Sequence, residues 1–484
     1  MESGNRQKAI CSTAVLKGLP PVEEQSVNLL LEREIRGNKD ILIVLDDDPT
    51  GTQTVHDVSV YTDWSVENIK HGLCEGRKVF YLLTNSRAMS QHETAAVHRE
   101  IAAHILQASR ETGRHAVVMS RSDSTLRGHY PLETDLLRQC FEAAGERIDG
   151  EILCPFFKEG GRFTLHGVHY VQEGQQLVPA AQTEFARDAT FGYRNSYLPA
   201  YIQEKTGGRC PAGQVQCISI ETLRRQDYDT ILQILEQTHD FGRICVDAAD
   251  YCDIMVFAVA LYRAMAKGKR FLFRTAAGLV KVMGGITDRP LLTRRDIVTR
   301  ETGSGGVVIV GSHTEKTTQQ LAALLELPGT VPIAFNSDAV LEGAAALDQE
   351  VRRCLAAEDA AIQAGNVAVC YTCRKVLQVD GDTKEAALER SVCISEAVQR
   401  LVGELSVRPA FLVAKGGITS STVATHALGI RKALVLGQIQ PGIPVWQADS
   451  SSKFPEIPYV VFPGNVGDRD TLRQVVEVFT NGRG

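Results

Sequence analysis

The sequence lacks the features that mark membrane proteins, nucleic-acid-binding proteins and secreted proteins. No apolar stretch approaches the roughly 20 residues that cross a bilayer, and the polar N-terminus carries no evident secretory signal. No run of Lys or Arg is present, and the formal net charge is -6, so neither nucleic acid nor an anionic membrane is expected as a partner. We therefore expect a cytoplasmic protein that acts on a small molecule.

The distribution of the cysteines does not indicate a metal site or a disulfide framework. The 12 cysteines are scattered, and Cys154, Cys245 and Cys370 lie inside apolar segments that are typical of strands. This pattern favours buried free thiols in a reducing compartment. Cys370 and Cys373 form one CxxC, but a second pair is missing, so no metal ligand is assigned.

The length and the periodicity of the chain predict its organisation. A chain of 484 residues is too long for one ordinary core, so two domains, or three, are expected. Strand and helix patterns alternate, which predicts two α/β domains with mostly parallel sheets and an active site in the cleft between them. We predict an N-terminal extension at 1–38, a first domain at 39–282, a linker at 283–306 and a second domain at 307–484.

The most informative stretch is ILIVLDDDPTG, at residues 41–51. Apolar residues run directly into Asp46, Asp47 and Asp48, so a buried strand is predicted to end at a charged turn, where open α/β sheets bind ligands. Adjacent acids repel one another and are costly to desolvate, so a metal, a proton or a polar substrate is expected beside them. The alternative is a solvated loop that caps a helix.

Polar clusters follow two further predicted strands of the first half. Thr84-Asn85-Ser86-Arg87 follows VFYLL, SRSDSTLRG at residues 120–128 follows HAVVM, and Arg274 ends FLF. If these strands are neighbours, acids, hydroxyls and guanidinium groups converge on one edge of the sheet. Arg grips a carboxylate with two parallel hydrogen bonds, and Asn, Ser and Thr suit hydroxyls, so the cluster fits a small polyhydroxy acid. For any single residue, a helix cap or a surface ion pair is the alternative.

Glycine turns end three predicted strands of the second half. Helix N-termini and close backbone approach at glycine suit phosphate, so these turns predict nucleotide binding, with ordinary turns as the alternative. The Walker sequence GxxxxGK[ST] is absent. The residues of these turns are Gly311, Ser312, Lys415, Gly416, Gly417, Thr419, Gly464, Asn465 and Gly467.

The acid triplet by itself resembles a second kind of enzyme. Asp46 to Thr50 satisfy DxDxT behind an apolar strand, which resembles the first motif of haloacid-dehalogenase-type phosphatases. That resemblance implies Asp46 as nucleophile and Asp48 as acid/base, with Mg²⁺ beside them. The Lys and the following acidic pair of that family have no convincing counterpart in this sequence.

A longer resemblance covers about residues 40–475. LDDDPTG, SDSTLRG, AFLVAKGGIT and PGNVGD, in this order, resemble the four-carbon acid sugar kinase family, also labelled DUF1537. The resemblance implies an N-terminal acid-sugar-binding domain and a C-terminal nucleotide-binding domain. The chain departs from the family pattern at Pro49, His129 and Ile418, where Leu, Asn and an acidic residue are common.

The resemblance implies a function and a set of site residues. It implies phosphorylation of the terminal hydroxyl of threonate, erythronate or a 3-oxo-tetronate with ATP and Mg²⁺, and catalytic roles for Asp47 and Asp48. The substrate residues are Thr50, Gly51, Asp123, Ser124, Thr125 and Arg127, to which the polar clusters add Arg87 and Arg274. The nucleotide residues are Ser312, Gly416, Gly417, Thr419 and Gly464, with Lys415 and Asn465 beside them. A homodimer is expected because sugar kinases of this size are often dimers. A non-catalytic sugar-acid-binding protein is a further alternative.

Overall fold

The computed structural model describes residues 9–300, 302–374, 377, 379, 381–464 and 466–481. In these residues the strands, in chain order, are β1 (Cys11–Ser12), β2 (Ile41–Asp46), β3 (Val58–Tyr61), β4 (Val79–Leu83), β5 (Ala116–Arg121), β6 (Gly150–Cys154), β7 (Arg162–Leu165), β8 (Val168–Glu173), β9 (Gln176–Pro179), β10 (Gln216–Ile218), β11 (Gly242–Val246), β12 (Phe271–Thr275), β13 (Val307–Val310), β14 (Thr330–Phe335), β15 (Val367–Thr372), β16 (Leu412–Lys415), β17 (Lys432–Gln440), β18 (Ile443–Ala448) and β19 (Pro458–Phe462).

Helices connect most of these strands. The α-helices are Ala14–Lys17, Glu24–Gly37, Val66–Cys74, Gln91–Thr112, Leu132–Ala143, Leu198–Lys205, Ile220–Arg224, Tyr228–Gln237, Tyr251–Ala266, Ala277–Met283, Arg294–Ile297, Glu315–Leu325, Ala344–Gln363, Lys384–Gly403, Gly417–Thr422 and Thr471–Thr480. Short 3₁₀ helices include Pro49–Thr52, Ser86–Ala88 and Glu184–Arg187. None of the helices described is both long and apolar enough to cross a membrane.

The chain folds into two compact units. Unit 1 comprises the described part of residues 1–51 together with residues 63–288, and unit 2 comprises residues 52–62 with the described part of 289–484. The segment at 52–62 contains β3, which pairs antiparallel with β17 so that Val58 lies opposite Val435. Unit 2 therefore takes one of its strands from the N-terminal half of the chain.

Unit 1 contains a parallel sheet in the order β10-β11-β6-β12-β5-β2-β4. All six residues of β2 are buried, as expected for a strand covered on both faces by helices. The helix Gln91–Thr112 begins at a capping box formed by Ser90 and Glu93 and ends at Gly113, whose φ is 65°. Because the strands are parallel, the carboxyl ends of β2, β4, β5 and β12 share one edge of the sheet.

A small antiparallel sheet, in the order β1-β9-β8-β7, completes unit 1. β7 and β8 form the hairpin that alternating apolar positions around Gly167 predict. His166 and Gly167 both have positive φ, 51° and 76°, as a two-residue hairpin turn requires. The carboxylate of Asp247, which follows β11, accepts the backbone N–H of each at 2.8 Å and so ties the hairpin to the main sheet.

Unit 2 contains a sheet in the order β3-β17-β18-β19-β16-β13-β15-β14. The strands from β19 to β14 are parallel, and β3, β17 and β18 extend the sheet in antiparallel pairs. Phe411 stacks on Phe479 in the core, with ring centroids 4.2 Å apart. Leu292 and Ile297, from the stretch predicted as a linker, are also buried in this core. The predicted domain boundaries stay a prediction.

The structure confirms the predicted fold class, since both units are α/β with mostly parallel sheets. Every cysteine of the described residues is a free thiol, and Cys154, Cys245 and Cys370 are buried, as the sequence predicts.

Candidate functional site

The three acids after β2 lie in three different environments. Asp46, the last residue of β2, is 1% exposed, and its carboxylate accepts a hydrogen bond from Arg121 Nη1 at 3.1 Å. Asp47 is 3% exposed and is held by the guanidinium fork of Arg87, with Nε at 3.1 Å and Nη2 at 2.6 Å. The Asp48 side chain is 19% exposed and accepts the backbone N–H and the hydroxyl of Thr50 at 2.8 and 2.5 Å. Two guanidinium groups thus offset the charge of a largely buried triplet.

Burial and the two arginines move the pKa values of these acids in different directions. Burial raises the pKa of Asp46 to about 7, against the attraction of Arg121. Burial also raises the pKa of Asp47, against its pairing with Arg87. For Asp48 the effect of burial is outweighed by the charge of Arg87 and the hydrogen bonds from Thr50, so its pKa is lowered. Asp47 is therefore the stronger base of this pair, and Asp48 is the more firmly ionised carboxylate.

Gly51 allows the chain to pass directly over Asp46. A Cβ atom on Gly51 would lie 2.0 and 2.1 Å from the two carboxylate oxygens of Asp46. The backbone N–H of Gly51 donates to the carbonyl of Asp48 at 3.0 Å, which closes the turn that we call the acid turn, residues 46–51. The structure gives Gly51 a packing role, and its predicted contact with substrate stays a prediction.

Arg87 reaches the acid turn from the end of β4. Asn85 has a left-handed backbone, with φ of 56°, and its N–H donates to the carbonyl of Asp46 at 3.3 Å. This turn directs the chain so that Arg87 Nη1 lies 3.3 Å from Asp48 and 4.0 Å from Asp123. The structure therefore brings three strand ends together at one edge of the sheet, as the sequence predicts.

Residues 123–128 form a compact turn after β5, which we call the DSTLRG turn. The hydroxyl of Thr125 and Arg127 Nε both donate to Asp123 Oδ2, the latter at 2.8 Å. Leu126 has a φ of 69°, a conformation that costs free energy in a residue with a side chain and concentrates at functional sites. Burial by itself would raise the pKa of Asp123. The charges of Arg87 and Arg127 outweigh this effect and hold the pKa well below its usual range.

Buried side chains from elsewhere in unit 1 hold the backbone of the DSTLRG turn. Arg274 Nη2 donates to the carbonyl of Arg127 at 2.8 Å, and the hydroxyls of Tyr193 and Tyr201 donate to the carbonyls of Thr125 and Leu126 at 2.7 and 2.8 Å. Arg274, predicted as a substrate residue, is 1% exposed and thus has a positioning contact in the structure. The sequence missed both tyrosines, because a residue that binds distant backbone leaves no local motif.

His169 supports the same turn from β8. Its Nε2 lies 2.7 Å from the carbonyl of Ser124, and its Nδ1 lies 3.0 Å from the hydroxyl of Thr164. Burial lowers the pKa of His169 to about 4, so the ring is neutral at physiological pH. A neutral ring that donates from Nε2 and accepts at Nδ1 satisfies both contacts.

Arg121 is a site residue to which the sequence assigned no role beyond its place in the polar cluster at residues 120–128. It ends β5, is 4% exposed, and lies directly opposite Asp46 in the pairing of β5 with β2. Its Nη1 lies 3.1 Å from Asp46 and 3.7 Å from Asp47. The available signal was a charged residue at the end of an apolar strand, as in the acidic strand itself.

The acid turn does not form a ready metal site. Within the part of the chain that the structure describes, no group of three or more His, Cys, Asp or Glu side chains could hold a metal ion. Asp47 and Asp48 already pair with Arg87, so Mg²⁺ would need most of its oxygen ligands from elsewhere. In enzymes that act on nucleoside phosphates, Mg²⁺ is usually bound by phosphate oxygens and waters, with one or two carboxylates.

The glycine turns of unit 2 come together. Ser312, Gly416 and Gly464 follow β13, β16 and β19, which are adjacent parallel strands. A Cβ atom on Gly416 would lie 3.5 Å from Ser312 Cβ, and one on Gly464 would lie 3.7 Å from Ser312 Oγ. Asn465, predicted beside them, lies outside the described residues.

Close packing explains the glycines of these turns. A Cβ atom on Gly311 would lie 2.3 Å from Thr419 Oγ1, and Gly416 has a φ of 123°, which favours glycine. Gly417 begins the short helix Gly417–Thr422, directly after that residue. The hydroxyl of Thr317, from the helix after Ser312, donates to Ser312 Oγ at 3.0 Å. The turns thus leave a backbone-lined surface with hydroxyl groups.

Lys415 is buried beneath these turns. Its Nζ donates to the carbonyls of Pro463 and Gly464 at 2.5 and 3.1 Å and lies 4.2 Å from the centroid of Phe462. Burial lowers the pKa of Lys415 to about 7. Lys415 therefore anchors the turn at Gly464 to the end of β16. Its direct contact with a nucleotide stays a prediction.

Comparisons with known proteins match both halves of the chain. Residues 42–283 match the family model described as "Sugar-binding N-terminal domain", and residues 307–472 match the one described as "Nucleotide-binding C-terminal domain". A Salmonella typhimurium LT2 protein provisionally named as a tRNA synthase is structurally similar over 90% of this chain and 98% of its own, with 16% identity and a TM-score of 0.62. A DUF1537 protein from Haemophilus influenzae is similar over 90% of this chain and 100% of its own, with 18% identity and a TM-score of 0.57. These structures show the fold alone, and a search of curated proteins found no match.

Proposed function

Since the chain belongs to the four-carbon acid sugar kinase family, we propose that it phosphorylates the terminal hydroxyl of a four-carbon sugar acid with ATP. The substrate class is threonate, erythronate or 3-oxo-tetronate. The observation that carries the proposal is the meeting of the acid turn and the DSTLRG turn at one edge of the unit 1 sheet, where Arg87 lies near Asp47, Asp48 and Asp123.

The charges of the unit 1 site support an anionic substrate with several hydroxyls. The fork of Arg87 is taken up by Asp47, whereas Arg127 is 24% exposed and its Nη atoms extend beyond its bond to Asp123, with Nη1 3.8 Å from Asp188. Arg127 is therefore proposed to bind the substrate carboxylate. Thr50, Ser124 and Thr125 supply polar groups of the size and type that bind sugar hydroxyls.

Asp47 is proposed as the general base. Burial raises its pKa toward the working pH, which favours proton acceptance. In the proposed step, the substrate hydroxyl oxygen bonds to the γ-phosphorus, the bond from that phosphorus to the β-phosphate breaks, and the hydroxyl proton passes to Asp47. Asp48, which stays ionised, is proposed to orient the substrate or to give one oxygen to Mg²⁺.

The three turns of unit 2 are proposed to bind the phosphates of ATP. Ser312, Gly416, Gly417, Thr419 and Gly464 would supply backbone N–H groups and hydroxyls, and Lys415 would keep the Gly464 turn in place. When bound, Mg²⁺ neutralises charge on the phosphate oxygens.

The test is ADP release with ATP and Mg²⁺ against D- and L-threonate, D- and L-erythronate and their oxo forms. Substrate-dependent ADP is expected for at least one acid, and ³¹P NMR of the product would show a phosphate ester on the terminal carbon. A protein that binds ATP but releases no ADP with any four-carbon acid would contradict the proposal. Binding of an acid without turnover would instead support the non-catalytic sugar-acid-binding protein.

The phosphatase alternative would require Asp46 to attack a phosphate ester. Asp46 is 1% exposed and paired with Arg121, and the backbone of Gly51 lies directly over its carboxylate, so attack on a phosphate ester would require the acid turn to move. A phosphate-release assay with phosphorylated sugars, run beside the ADP assay, tests this alternative, and no release is expected.

A further inference from the structure

Arg162, at the start of β7, is a half-buried arginine close to the DSTLRG turn. Its backbone forms two hydrogen bonds with Phe157, of 2.9 and 3.1 Å, which fix the position of the residue. Its Nε is buried and has no hydrogen-bond partner among the described residues. Leaving a buried guanidinium N–H without an acceptor costs free energy, so an acceptor from outside the protein is expected there.

Arg162 and Arg127 contact the same aromatic ring. The Cζ atoms of Arg127 and Arg162 lie 5.1 and 5.6 Å from the ring centroid of Phe185, which belongs to the 3₁₀ helix Glu184–Arg187. Each contact is within the range of a cation–π interaction. The ring therefore organises two guanidinium groups around one position of unit 1.

The carboxylates close to Arg127 already have partners, since Asp188 Oδ2 lies 3.8 Å from Arg127 Nη1. Asp123 attracts Arg162, but it already accepts hydrogen bonds from Thr125 and Arg127. Burial and the neighbouring Arg127 lower the pKa of Arg162. The pKa of Arg121 is instead raised, because the charges of Asp46 and Asp47 outweigh the effect of burial there. A bound carboxylate would give the buried Nε–H of Arg162 the acceptor that it lacks among the described residues.

We propose that Arg162 is a specificity residue that binds the carboxylate of the sugar acid together with Arg127. The inference rests on the proposed function, because it names the group that selects an acid over a neutral sugar. An Nε–H and an adjacent Nη–H of one guanidinium match the two oxygens of a carboxylate, a geometry that Lys cannot reproduce. Neutral four-carbon alcohols lack this group and gain nothing from Arg162.

The experiment measures the binding of the acid that the ADP assay selects, or of each four-carbon acid in the panel, by isothermal titration calorimetry without ATP. Arg162→Gln is expected to raise the Kd for the acid about 10- to 100-fold, the range for a hydrogen bond to a charged group. Arg162→Lys keeps the positive charge and serves as the control for misfolding of Arg162→Gln. It is expected to recover only part of the affinity. The Kd for ATP should not change in either variant.

The matched control is Arg187→Gln, which removes the same charge from an exposed position in the Phe185 helix and should leave the Kd for the acid unchanged. Wild-type Kd values in folded Arg162→Gln and Arg162→Lys would overturn the role of Arg162. Wild-type protein that binds the acid but releases no ADP would contradict the kinase, and the Arg162 comparison would still stand as a test of the carboxylate site. Equal losses for the acid and for threitol, the neutral alcohol, would also overturn it.

Discussion

Replacing Gly51 by Ala tests whether the acid turn depends on the close approach of its backbone to Asp46. The new Cβ would lie 2.0 to 2.3 Å from three carboxylate atoms of Asp46. Real contacts of this kind are more than 1 Å longer, so Asp46 or the turn must move. Asp46 cannot move without a loss of stability, because it is 1% exposed and paired with Arg121, which is 4% exposed.

The expected loss of stability follows from these contacts. Overpacking a buried position costs about 1–3 kcal/mol, and breaking a buried ion pair costs about 3–5 kcal/mol. If the turn absorbs part of the clash, we expect the free energy of unfolding of unit 1 to decrease by about 3 kcal/mol. For a unit of this size, that corresponds to a fall in Tm of roughly 6–12 °C.

The assay is differential scanning calorimetry, with ATP binding measured beside it. Gly37→Ala is the matched control, since nothing lies within 4 Å of its new Cβ and its φ is not positive. Gly51→Ala should lower the Tm and weaken binding of the acid while ATP still binds to unit 2, and Gly37→Ala should leave the Tm within about 1 °C. A Gly51→Ala protein with the Tm and the acid affinity of the wild type would refute the reasoning.

Three further predictions concern the same site. Asp47→Asn should lower kcat about 100-fold or more if Asp47 is a positioned base, with the Kd for ATP unchanged; near-normal kcat would remove it from that role. Arg127→Lys should mainly raise KM for the acid, because a point charge cannot replace the fork, and an effect on ATP alone would contradict its assignment to the acid site. His169 has a folded pKa of about 4, below its unfolded value of about 6.5, so the stability from its neutral form is present above pH 6.5 and is lost as the pH falls toward 4. In urea unfolding between pH 7 and pH 5, the wild type should lose about 2 kcal/mol more than His169→Gln; equal losses for the two proteins would count against a buried neutral ring.

The sequence by itself determined the elements that carry the site. An apolar run such as residues 41–45 forms a buried strand, and parallel strands place their carboxyl ends at one edge, so the meeting of Asp47, Arg87 and Asp123 was predictable. The same reasoning predicted glycine turns at three strand ends of the second half, and the structure shows that Ser312, Gly416 and Gly464 follow neighbouring strands. These predictions succeeded because they depend on local periodicity and on one rule of sheet topology.

Only the tertiary structure decided which charged groups pair and which residues support them. Arg87 meets Asp47 across 40 residues of chain, and Arg121 meets Asp46 across 75, and nothing local distinguishes these pairings from their exchange. Burial raises the pKa of Asp46 and Asp47, whereas at Asp48 the charge of Arg87 and the hydrogen bonds from Thr50 outweigh burial and lower the pKa.

His169, which supports the DSTLRG turn, and Arg162, which contacts Phe185, come from the hairpin of β7 and β8. They leave no mark in the motifs of the acid site, because their contacts exist only once the hairpin is packed. The assignment of residues 52–62 to unit 2 has the same cause, since β3 is an ordinary strand until β17, from the C-terminal half of the chain, pairs with it.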